Sequence, residues 1–293
     1  AGVVPRVVMG YTDVGTRHMA GAMIVELRED IAAGLATLPT AVPGLGIDPG
    51  GLFSFGFSLQ PMALRTFYES RLDAMEQDPF ECAALSELQS STAKGREALA
   101  KPLPPVVYNF RGMLATVQNV TGFDLSSQQP PESIDAGILF AMENAQDLVN
   151  MAALMSPEVA ALNLLPDGKA RQLDLPELGE MARKAFAALT SSGLSVSVGE
   201  GAEAHAEAML EADVASTSPL MSVSMDARRY YEFVGQAMME ADEAEDEEPT
   251  PIEVREAMRD IVLSSGALYE RMLTRVHLTS RGIEIDSRVT LAD

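Results

Sequence analysis

The sequence predicts an α+β fold: antiparallel or mixed sheets with helices packed on one face, built as two related modules. Three observations carry that expectation. Residues 184–240 run strand, turn, strand, helix, strand, helix. Alternating strand signals and 3.6-residue helix signals recur elsewhere, without the regular strand–helix–strand order of a parallel sheet. Two stretches far apart in the chain also echo each other, which is the mark of an internal repeat.

Composition sets the outer limits. With 293 residues, 47% of them hydrophobic, the chain can bury a large core as one large or two ordinary domains. A formal net charge of −22 repels polyanions, which argues against nucleic acid or an anionic membrane surface as the main partner. No run approaches the ~18 consecutive apolar residues of a transmembrane helix. Lysine is scarce, four among 21 basic residues, and this reads as genome base composition rather than function. The single cysteine, Cys82, forbids an intramolecular disulfide within these residues and reads as a small buried hydrophobe.

From the first residue, 6–11 and 18–27 read as strands around the turn Asp13-Val14-Gly15, with a short helix over 28–38. Residues 39–51 are a loop by their Pro and Gly content. Residues 52–59 alternate strictly, with Phe53, Phe55 and Phe57 on one side, so they form a half-buried strand. Helices over 62–77 and 80–100 break near Asp78-Pro79 and end at Pro102, Pro104 and Pro105. Residues 106–120 are a long strand whose partner begins at Gly122-Phe123-Asp124-Leu125, and 126–133 form a polar linker.

Next come a strand over 134–142, a helix over 145–155 capped by Asn144, and another over 157–165 capped by Ser156 with Pro157 at its first position. Pro166-Asp167-Gly168 is a turn. A hairpin follows, 185–189 and 194–198, split by Ser191-Ser192-Gly193. The helix after it carries Ala202, Ala206, Met209 and Leu210 along one face. Pro219 opens the strand 220–225, and Asp226 caps a helix whose Tyr230, Phe233, Val234, Ala237 and Met238 form one buried stripe. Residues 240–250 are an acidic, exposed, weakly ordered loop. Thr250-Pro251-Ile252-Glu253 is a capping box for a helix with the apolar stripe Val254, Met258, Ile261 and Val262. A hairpin around Ser280-Arg281-Gly282 joins 268–279 to 283–291 and closes the chain.

The echo lies between Arg65, Phe67, Tyr68, Glu69 and Arg228, Tyr230, Tyr231, Glu232, with 163 positions separating Tyr68 from Tyr231. Met113 and Met272 stand 159 apart, Gly122 and Gly282 160 apart, each pair in matching surroundings. The implied organisation is a first module over 1–125, a linker over 126–133, and a second module over 134–293 carrying the acidic loop 240–250. The second module has elements ahead of its first hairpin that the first lacks. By that logic about 40 residues precede Ala1 in the natural protein, where a leader or a partner for Cys82 would lie.

Chemical motifs are few. Gly199-Glu200-Gly201-Ala202-Glu203-Ala204 matches a dinucleotide fingerprint, and Asp226 follows at the end of the next strand. Yet Glu200, Glu203 and Glu207 stand where a pyrophosphate would sit, so a plain glycine turn is the better reading. Gly44, Gly46 and Gly50 have the wrong spacing for a phosphate loop. His18, His205 and His277 are scattered, with no zinc-binding spacing, and His205 reads as solvent-facing. The acidic loop lacks the alternation of a calcium loop. No serine-hydrolase elbow is present. Arg228-Arg229 beside Tyr230-Tyr231 read as snorkelling cations over packed rings rather than an anion site. Asn119-Val120-Thr121 is a sequon whose use depends on compartment.

No catalytic, cofactor or metal residue is therefore assigned. The expectation is a non-enzymatic bacterial envelope or secreted protein, periplasmic or extracellular, acting through protein contacts or self-association at an exposed strand edge. The alternative is a small-ligand carrier or an enzyme with a pocket between the two modules.

Overall fold

The computed structural model describes residues 3–78, 91–122, 131–173, 184–240 and 252–292. Its strands are β1 (Arg6–Val14), β2 (His18–Glu26), β3 (Phe53–Ser58), β4 (Phe110–Thr121), β5 (Ser133–Met142), β6 (Arg171–Gln172), β7 (Ala185–Leu189), β8 (Gly193–Val198), β9 (Met221–Asp226), β10 (Tyr269–Thr279) and β11 (Gly282–Leu291). They form one sheet in the order β1-β2-β11-β10-β9-β3-β4-β5-β8-β7-β6. Every neighbouring pair is antiparallel. The helices are α1 (Glu29–Leu35), α2 (Pro61–Gln77), α3 (Thr92–Ala100), α4 (Pro105–Asn109), α5 (Ala145–Met155), α6 (Pro157–Ala161), α7 (Ala202–Glu211), α8 (Ala227–Glu240) and α9 (Ile252–Leu268). The class is α+β with a large antiparallel sheet.

The centre of the sheet is rich in small residues. Reading across strands in register, one row is Ser224, Ser54, Thr116, Gly137 and Ser197, and the next is Ser222, Gly56, Leu114, Leu139 and Ser195. Side chains this small let covering segments lie close to the backbone. Residues 36–52 do so: Leu45 sits over Gly56, where an added Cβ would come within 2.7 Å of its methyl group. Val42, Leu45, Leu114, Leu139, Ala141 and Met209 form the core beneath this loop and α7.

Among the described residues the buried hydroxyls all have partners, as burial demands. Ser58 donates to the carbonyl of Pro219 (2.6 Å), Ser222 accepts from the Gly46 N–H (3.1 Å), and Ser195 donates to the carbonyl of Ala206 (2.6 Å). The Gly46 and Ala206 bonds staple the loop and α7 to the sheet, and the Pro219 bond ties β3 to the segment leading into β9. A Pro- and Gly-rich segment that composition marks only as a loop is thus part of the core.

Local signals account for much of the rest. Phe53, Phe55 and Phe57 share one half-buried face of β3, opposite the buried Ser54, Gly56 and Ser58. Asp226 accepts from the Arg229 N–H (3.0 Å) at the start of α8, and Ser156 accepts from Val159 N–H at the start of α6. Asn144 precedes α5 but makes no side-chain cap bond, because its backbone is left-handed there (φ 53°). Ala202, Ala206 and Met209 are buried, as their spacing implies.

Two expectations change. The strand read from 106 begins at Phe110 because Pro105 starts the short helix α4, a position that proline's fixed φ favours. It pairs with β3 and β5. The helix α9 turns Val254, Met258 and Ile261 outward, and packs on α8 instead through Leu263 and Gly266, against Gly235 and Tyr231. Cys82, residues 123–130, the acidic residues 241–250 and most of the expected capping box lie outside the described residues.

Candidate functional site

The sheet ends differently on its two sides. At one end β6 offers two residues only, a short and therefore blunted edge. At the other, β1 offers nine residues, pairs among the described residues with β2 alone, and is exposed there along its whole length. Met9 is 78% exposed and Tyr11 77%, with Val7, Val8 and Val14 also open to solvent.

The charges of this strand leave its middle uncharged. Arg6 bonds to Glu26 across the hairpin at 2.6 Å, and Arg281 approaches the same carboxylate at 3.5 Å. Near the other end His18 meets Asp13 at 2.8 Å. A bulge between Tyr11 and Asp13 adds local twist there. From Val7 to Tyr11 no charge interrupts the edge, the reverse of how sheet edges are ordinarily protected. Such a strand presents backbone donors and acceptors to any chain able to extend beside it.

Further apolar surface lies on the helices. Val254, Met258, Ile261 and Leu268 stand four, three and seven residues apart along α9 and are exposed, and Leu154 and Met155 project from the end of α5 at 89% and 85% exposure. The helical spacing on α9 is that of a stripe ordinarily covered by another element.

The residues singled out by motif do not converge. His18 is on the β1–β2 hairpin, His205 on α7 and His277 on β10. Rather than facing solvent, His205 is half-buried and its Nε2 lies 3.1 Å from the Thr116 hydroxyl. Its burial follows from the small Gly137 beneath it, where a Cβ would come within 3.0 Å of the ring. Desolvation lowers its pKa, and the charge of Asp135 opposes that only partly. His277 bonds to Asp286 through Nε2 (3.1 Å), while its Nδ1 is buried without a partner among the described residues. No group of three His, Cys, Asp or Glu arranged for a metal ion occurs among the described residues.

In the glycine turn the N–H of Glu200 donates to Asp135 Oδ1 at 2.7 Å. A protein carboxylate holds the amide a phosphate would need, and Gly199 is pressed against Asp135 and the Ile134 carbonyl. Arg228 pairs with Glu232, Arg229 bonds to Gln118 and Asn119, and Tyr230 stacks on Phe53 at 6.3 Å.

One polar centre escaped sequence reasoning. Asp48 in the 36–52 loop receives two bonds from Arg271, one from the Ser224 hydroxyl (2.9 Å) and one from the Gly50 N–H (3.1 Å). Burial alone would raise the Asp48 pKa, but the Arg271 guanidinium and the two further donors outweigh it and hold the carboxyl low. Nothing local in the sequence pairs positions this far apart.

Compared with protein-family models, curated proteins and solved structures, the chain matches none.

Proposed function

We propose that the protein acts through protein–protein contacts rather than catalysis, by accepting an extended segment of a partner, or of a second copy, beside β1. The observation that carries this is the nine-residue, apolar, uncharged-centred edge of β1. The outward stripe on α9 supports it as a second contact face. An envelope or secreted location is proposed with it, and cell fractionation tests that part.

The matched order of elements around the central pair supports a duplicated origin. Outward from β3 run β4 and β5, reached through α2 and α3; outward from β9 run β10 and β11, reached through α8 and α9. The hairpin β1–β2 then flanks β11 as β7–β8 flanks β5. We read this as two copies that exchange their leading hairpins.

The test replaces Met9 and Tyr11 together by lysine. In the native protein, size-exclusion with light scattering and chemical cross-linking in native extract are expected to show a complex that the double variant loses while remaining folded. A native protein that is monomeric and recovers no partner, or a variant that keeps its complex, would sink the reading.

A further inference from the structure

We propose that the pocket between α2, α3 and α4 binds a medium-chain aliphatic carboxylate, a role separate from strand addition at β1. The pocket arises from helix geometry. Pro61, Leu64, Arg65 and Tyr68 recur at three- and four-residue spacing on α2 and so line one face of it. That face meets Leu99 on α3, Leu103 in the connector and Val107 on α4 around an open recess of about 240 Å³.

Its walls and its charges differ in kind. Leu64, Leu99, Leu103 and Val107 supply apolar surface that is only half-buried, so filling the space removes that surface from water. Two cations also line the pocket, Arg65 and Lys101. Arg65 is held by Glu69 at 3.1 Å and is therefore largely neutralised. Lys101 is exposed and makes no ion pair among the described residues, although the chain carries a net charge of −22. An ammonium with no ion pair among the described residues, beside an apolar recess, suits a ligand with one negative end and a hydrocarbon body.

Size limits the body. At roughly 30 Å³ for each water-sized group, the recess takes about eight of them. That fits an acid near octanoate in length, and falls short of the roughly 300 Å³ at which pockets for larger ligands begin.

Calorimetry on the full chain with octanoate, octanol and octylammonium tests this. One saturable octanoate site is expected, with octanol at least tenfold weaker and octylammonium not bound. Lys101→Glu, at an exposed position, should weaken octanoate at least tenfold without altering the circular dichroism. Leu99→Trp should fill the recess and remove binding. Equal binding of octanol and octanoate, an unchanged Lys101→Glu, retained binding in a folded Leu99→Trp, or no saturable site in the native chain would each overturn the proposal.

Discussion

Asp48 holds the guanidinium of Arg271 with both carboxylate oxygens, at 2.5 Å each, across 223 positions of sequence. The pair ties the loop over the sheet to β10, and Arg271 also donates to the Gly51 carbonyl at 2.8 Å.

Asp48→Asn should therefore destabilise the fold. Both partners keep some solvent contact, at 31% and 22% exposure, so the effect lies between a surface and a buried pair, about 1–2 kcal/mol. The sign with pH follows from the lowered carboxyl pKa. The contribution is complete above the unfolded value of about 3.9 and is lost as pH falls through the folded value. Urea unfolding of both proteins at pH 7 and pH 3 should show a gap at neutrality that shrinks in acid. An equal gap at both values would show that the loop is held by packing alone.

His205 gives the opposite experimental handle, because the neutral form is the one the fold keeps. Its pKa is lowered by desolvation, so the unfolded chain takes up a proton first as pH falls below about 6.5. Stability is unaffected above that value and declines as pH drops toward the folded pKa. His205→Gln should flatten the melting temperature between pH 7 and pH 5 relative to the native protein. An imidazole titrating at or above 6.5 by NMR would contradict the burial described here.

These two sites mark the limit of what the sequence conveys. Periodicity fixes which face of β3 carries Phe53, Phe55 and Phe57, since alternation is a local property. It does not tell which strand lies beside β3, where β9 sets Ser222 and Ser224 in register with Gly56 and Ser54 under one tight-fitting loop. Val254, Met258 and Ile261 show the same limit from the other side. Helical spacing identifies a stripe, but whether anything covers it depends on tertiary packing, and on α9 the packed side is the one with Leu263 and Gly266. The openness of β1 is equally invisible in its sequence, because an apolar strand reads alike at an edge and in a core.

The glycine turn separates conformation from crowding. Gly201 has φ +71° with open space around its missing Cβ, so Gly201→Ala should cost about 1–2 kcal/mol for the left-handed backbone alone. Gly199, at φ +99°, would place a Cβ 2.2 Å from Asp135 Oδ1 and 2.3 Å from the Ile134 carbonyl. Gly199→Ala should cost clearly more, because it also displaces the carboxylate that accepts from Glu200. Chemical denaturation ranks the two. Equal losses would mean that the Asp135 contact contributes nothing.

Cutting the chain between residues 125 and 126 tests whether its two halves fold separately. The first fragment retains β1 with β2, and β3 with β4, as two disconnected pairs, since β2 is joined to β11, β3 to β9 and β4 to β5. Isolated two-stranded pairs are marginal in water. The second fragment retains β9–β10–β11 and β5–β8–β7–β6, with the gap left by β3 and β4 between them. Residues 1–125 expressed alone should thus lack cooperative unfolding. Mixed with 126–293 they should restore one species with a single thermal transition, because three antiparallel pairings re-form together. Cooperative unfolding of 1–125 by itself would instead establish two independent modules, and the continuous sheet would then be a docked interface rather than one folding unit.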